Sequence, residues 1–161
     1  MRTDCQMQGG LPANIFCENF IEPPPSPMMK EYKLIDRTGD DNCLDAKVYY
    51  KMKLPMMSDR DLVIQVHQEK KDDGSYWGYA SSIEHPDYPK VKNVVRMYSL
   101  TYFKVSEESD GILNYTEISN FDLKGYLPAS LMNMIMSSEV EKEFRALYNH
   151  LVKVSKERKD K

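Results

Sequence analysis

A chain of 161 residues has the length of one domain and buries roughly 70% of its unfolded surface on folding. Hydrophobic residues make up 41% and charged residues 29%, and a net charge of −3 supplies no basic field for nucleic acid or anionic lipid. No apolar run approaches the roughly 18 residues of a membrane span, and residues 1–12 lack the apolar core of a signal peptide, so a cytoplasmic protein is expected.

Residues 1–29 hold Gly9-Gly10 and the run Pro23-Pro24-Pro25-Ser26-Pro27, which can neither join a central strand nor continue a helix. The segment is read as a poorly ordered, proline-rich lead to a domain over residues 30–157. Cys5, Cys17 and Cys43 are an odd number with no metal-ligand spacing, which reads as free thiols in a reducing compartment. No metal or other cofactor is expected.

From Tyr32 to Phe121 the apolar period is two. Val48, Tyr50, Met52 and Leu54 alternate with Tyr49, Lys51 and Lys53, and Leu62, Ile64 and Val66 alternate with Val63, Gln65 and His67. Asp73-Gly74 is a strong hairpin signal before a strand carrying Trp77, Tyr79, Ser81 and Ile83. Val94, Arg96, Tyr98, Leu100 and Tyr102 form one further long alternation, and Ile112 to Phe121 the last. The connections are too short for crossover helices, so the sheet should be antiparallel and meander in chain order.

After Leu127-Pro128 the period changes. Leu131, Ile135, Val140, Phe144, Leu147, Leu151 and Val154 form one apolar stripe on a helix of about 25 residues, roughly 37 Å long. The tail, residues 158–161, is charged. A curved sheet with one long amphipathic helix across its concave side leaves a hollow wherever the two surfaces do not match, and apolar hollows bind apolar ligands.

For catalysis the chain offers little. No HExxH, CxxC, GxSxG or phosphate-binding glycine loop is present. His85 lies in Glu84-His85-Pro86-Asp87, where the proline bends the chain, and is read as a corner rather than a base. Arg96 is in phase with the face expected to look inward. It is either one half of an ion pair or a polar anchor inside a ligand cavity.

Four stretches then occur in order. They are Ser58-x-Arg60-Asp61, Ser82-Ile83-Glu84-His85-Pro86, Val95-Arg96, and Asp122-x-x-Gly125-x-Leu127-Pro128 before the last helix. Together they resemble a START domain, the lipid-transfer domain related to the steroidogenic acute regulatory protein, over residues 32–154. The resemblance implies an α+β helix-grip fold, with a curved antiparallel sheet wrapped around a long C-terminal helix. A full domain of this family has further elements before the matching region, so the fold is expected to be truncated at its N-terminus.

The same resemblance implies binding and intermembrane transfer of a lipid, with transient membrane contact and no covalent chemistry. The expected walls are Tyr50, Met52, Leu62, Ile64, Arg96, Tyr98, Leu100, Leu131, Ile135, Phe144 and Leu147, and the expected gate is Tyr126 with Leu127. In phosphatidylcholine carriers of the family an aromatic cage holds the choline. Tyr50 falls where one member of it belongs, but Leu62 and Leu100 fall where two others would. Leu123, where many members have proline, resembles the sterol-carrying branch, so the ligand is left as a glycerophospholipid or a sterol. The alternative is an interaction module with an open cavity, covered by a second copy or a protein partner. An enzyme of the wider superfamily ranks last.

Overall fold

The alternation in the sequence becomes hydrogen-bonded ladders in the computed structural model, which describes residues 1–8, 11–14, 18, 21–24, 26–54, 57–108, 111–125, 142 and 145–157. The strands are β1 (Arg2–Met7), β2 (Met29–Gly39), β3 (Cys43–Met52), β4 (Asp59–Lys70), β5 (Tyr76–Ser82), β6 (Val94–Arg96), β7 (Tyr98–Glu107) and β8 (Leu113–Asp122). They form one sheet in the order β1-β8-β7-β5-β4-β3-β2, with β6 attached to β4. A helix, α1, covers residues 145–157. The helix-grip architecture, an antiparallel sheet closed by a C-terminal helix, is the one expected.

Turn chemistry sets the hairpins. Asp40 Oδ1 accepts the backbone N–H groups of Asn42 and Cys43 at 2.8 and 3.1 Å and closes the β2–β3 turn. Gly74, at φ +79°, occupies the left-handed position of the Asp73-Gly74 turn, where Asp73 Oδ1 also accepts from the Ser75 N–H and hydroxyl.

The sheet departs from a simple meander in two places. Residues 94–102, expected as one strand, divide at Met97. There β6 runs parallel to β4, the Met97 N–H makes a last bond to the Asp61 carbonyl at 2.9 Å, and β7 continues antiparallel to β5. The second departure is the lead segment, which is not wholly outside the fold. Arg2–Met7 pairs along β8 from Arg2↔Ile118 to Met7↔Leu113, and Leu11, Ala13 and Ile21 are buried. A strand edge supplies what that stretch lacks in hydrophobicity, because β8 offers its free backbone groups and only Thr3, Cys5 and Met7 face inward.

The described part of α1 lies against one end of the sheet. Leu151 is buried in a cluster with Met7, Tyr76, Phe103, Val105, Leu113 and Tyr115, and Leu147, Tyr148, Val152 and Val154 pack onto it. Gly78 makes room for this cluster. A Cβ there would stand 2.4 Å from the Phe103 ring and 2.4 Å from the His67 carbonyl oxygen. Gly78→Ala should therefore cost about 1–3 kcal/mol, read as a lowered urea midpoint at unchanged slope.

Candidate functional site: the inner face of the sheet

Cross-strand register identifies a single inner face. Leu44, Ala46, Val48 and Tyr50 of β3 stand opposite Gln68, Val66, Ile64 and Leu62 of β4. Val66 is opposite Ala80, and Gln68 is opposite Gly78. Gly78, Ala80 and Tyr76 are in turn opposite Phe103, Thr101 and Val105, and Thr101 faces Ser119 on β8. Paired residues share a side of the sheet, so the face is continuous from β3 to β8.

That face has two parts. One is the cluster under α1. The other joins Ile21, Leu44, Ala46, Val48, Tyr50, Leu62, Ile64, Val66, Ala80 and Met97, and no residue of the described α1 belongs to it. Its members differ in enclosure: Val48 and Val66 are 0% exposed, while Tyr50, Leu62 and Ile64 keep 8, 6 and 5%. The neighbours of this end (Met29, Leu34, Met52 and Leu123) are only partly buried. What residual exposure this part of the face keeps therefore lies towards Tyr50 and Leu62.

Polar groups interrupt the apolar rows. Gln68, Ser99, Thr101 and Ser119 are all buried on the inner side. Gln68 is 2% exposed, and its Oε1 has no hydrogen-bond partner among the described residues. Burial pushes the Tyr50 hydroxyl well above the usual tyrosine range, so it remains a neutral donor. Its ring lies 5.9 Å from that of Tyr32, whose own hydroxyl donates to the Ile21 carbonyl.

Arg60 anchors the approach to the helix. Its buried guanidinium donates to the carbonyls of Ser58 at 2.6 Å, Leu123 at 3.3 Å and Lys124 at 3.4 Å. Lys124 (φ +53°) and Gly125 (φ +82°) turn the chain there, and Asp122 Oδ1 accepts the Lys124 N–H at 3.0 Å. The expected gate residues Tyr126 and Leu127 follow directly in sequence and lie outside the described residues.

Several expected wall residues are placed elsewhere. Tyr98 and Leu100, each 38% exposed, and Tyr102, 56% exposed, point to the outer side; Ser99, Thr101, Phe103 and Val105 face inward. The hydrophobic phase in β7 changes between Tyr102 and Phe103, and the second half of the strand decides which side is buried. Arg96 is on the outer side as well. Its Nε and Nη2 reach Asp61 Oδ1 and Oδ2 at 2.8 and 3.0 Å, and Nη2 also donates to the Tyr88 carbonyl at 2.9 Å. The hydrogen bond to Asp61 is the main reason the guanidinium pKa is raised. Arg96 is thus the ion pair and not the cavity anchor.

Tyr50, Met52, Leu62 and Ile64 are brought together on the inner face, and Leu147 packs from α1 onto the other cluster. Leu131, Ile135 and Phe144 lie outside the described residues. His85 closes a turn: its carbonyl accepts from the Tyr88 N–H at 3.1 Å, and its Nδ1 accepts from the Asp87 N–H at 3.3 Å. Sequence reading passed over Ser99, Thr101, Ser119 and Gln68. The signal available was their period-two phase with Phe103, Val105 and Val66.

A START domain family model matches residues 26–157. No curated protein sequence matches the chain. Among solved structures, human STARD10 superposes with a TM-score of 0.75 at 21% identity, covering 99% of this chain and 66% of that one. Human StAR-related lipid transfer protein 5 gives 0.66 at 19% identity, over 97% of this chain and 74% of the other. A StAR-related lipid transfer protein fragment from Xanthomonas axonopodis gives 0.66 at 19% identity, over 93% and 84%.

Proposed function

The chain belongs to the START domain family, and from that premise we propose that it holds a lipid against the inner face of its sheet and carries it between membranes without covalent chemistry. The observation that carries the reading is the inner face itself. Apolar rows on β3 and β4 adjoin buried hydroxyl and amide groups on β4, β7 and β8, an arrangement suited to a molecule with a long apolar body and one polar end. Each CH₂ taken from water contributes about 0.8 kcal/mol, so a tail enclosed there crosses the aqueous phase at little cost.

The ligand class is a glycerophospholipid or a sterol. Both satisfy the same chemistry, since the buried Thr101 hydroxyl and Gln68 amide can meet either a head group or a sterol hydroxyl. We propose binding rather than catalysis because His67 and His85 both lie away from the inner face, and the third histidine, His150 on α1, has no nucleophile or carboxylate at a catalytic spacing in the sequence. Exchange requires contact with a membrane, and Tyr126 and Leu127 follow the clasp that Arg60 makes.

The test is extraction and identification of lipid from the purified chain, together with transfer of fluorescent phosphatidylcholine or fluorescent sterol between liposomes. One co-purifying lipid per chain and catalytic transfer of its class are expected. A lipid-free protein inactive towards both probes would overturn the reading. A second reading, an interaction module, is favoured by the outer row Trp77, Tyr102 and Ile118, each about half exposed. Light scattering after size exclusion separates the two: the carrier is expected as a lipid-loaded monomer, the module as a lipid-free dimer.

A further inference from the structure

On the outer side of β3 and β4 a different set of side chains converges. Asp45 pairs directly with His67 and Cys43 with Glu69, and Cys43 and Asp45, two residues apart, project to the same side. His67 Nδ1 is 2.9 Å from Asp45 Oδ1, and Cys43 Sγ, an Asp45 oxygen and a His67 ring nitrogen all lie within 4.8 Å of one another. We propose that Cys43, Asp45 and His67 form a binding site for a divalent cation of the zinc class.

Zinc bonds to sulfur at about 2.3 Å and to nitrogen or carboxylate oxygen at about 2.0–2.2 Å, so tetrahedral ligand atoms stand roughly 3.3–3.8 Å apart. The present spacings, from 2.9 Å up to 4.8 Å, bracket that range, and rotation of the exposed Cys43 side chain can close the difference. The cation sits between His67 Nδ1 and Asp45 Oδ1, and the neutral imidazole that ligates through Nδ1 keeps its one N–H on Nε2. The Cys43 proton leaves to the buffer, since the thiolate is the ligand. The donor set selects the metal: thiolate and imidazole favour zinc or cobalt over calcium and magnesium, which seek oxygen alone.

Two features support a built site. The His67 ring lies 5.5 Å from that of Tyr79, which limits its rotation. All three side chains are at least partly exposed, so an ion has an entry path and the fourth position is open to water. Sequence spacing conceals the group, because 22 residues separate Asp45 from His67 and only strand pairing brings them together. Nothing in this inference depends on the lipid reading.

The experiment titrates the full chain, stripped with a chelator, first with Co²⁺ and then with Zn²⁺. One equivalent of Co²⁺ should produce a thiolate-to-cobalt charge-transfer band, which Zn²⁺ then abolishes. Cys43→Ser should remove the band, and His67→Gln should weaken binding by at least the roughly tenfold that losing even an outer-shell partner costs. A Cys5→Ser/Cys17→Ser variant should keep the band. Absence of a band in the native chain, or its survival in Cys43→Ser with unchanged circular dichroism, overturns the proposal.

Discussion

Asp61→Ala should lower the unfolding free energy by about 3–5 kcal/mol, the cost of leaving a buried charge without its partner and much of what a domain of this size possesses. The Asp61 and Arg96 side chains are 1 and 4% exposed and meet through two hydrogen bonds, in the fork geometry that only arginine offers a carboxylate. The pair also ties down the connection between β5 and β6. Arg96 reaches the carbonyls of Tyr88 and Pro89, and the Tyr88 ring stacks on Tyr49 at 4.8 Å. Burial, then the charge of Asp61, pushes the Tyr49 hydroxyl up to about 12, so it adds no second negative charge at neutral pH. Asp61→Leu/Arg96→Met should recover most of the loss, because a well-packed apolar pair often replaces a buried ion pair without penalty. Urea unfolding of the three proteins checks this. An Asp61→Ala midpoint equal to the native one would show that the outer side of β4 admits water.

Where local chemistry and tertiary packing agree, the fold was legible in the residues. Leu62, Ile64 and Val66 alternate because one side of β4 is interior, and Asp73-Gly74 turns the chain because glycine accepts the left-handed conformation at φ +79°. Legibility failed where neighbouring strands overrule the local pattern. In β7 the larger apolar residues Tyr98, Leu100 and Tyr102 face outward, and Ser99 and Thr101 are buried. Register with Ala80 and Ser119 fixes that choice, and neither residue is near in sequence. Placement of Arg2–Met7 beside β8 rests on pairing across more than a hundred residues, which short-range periodicity does not encode. The candidate site shows the same division. Its apolar rows on β3 and β4 could be read from alternation, whereas its polar groups on β7 and β8 needed the register.

Leu62→Trp should reduce lipid retained by the purified chain at least roughly tenfold while changing stability by less than about 1 kcal/mol. The expectation follows from how unevenly the inner face is enclosed. Val48 and Val66 are fully surrounded, but Leu62 keeps residual exposure beside Tyr50, and Met52 and Leu123 next to it are only partly buried. On the lipid reading, an indole at that position occupies the volume that a lipid's apolar body would take. Were the same region filled by side chains, the added ring would meet packed atoms and cost about 1–3 kcal/mol in overpacking. The two cases separate on paired measurements: lipid per chain by mass spectrometry, and the urea midpoint. Loss of lipid with the midpoint held places the ligand against β3 and β4, whereas a depressed midpoint with native lipid content would move it off this face.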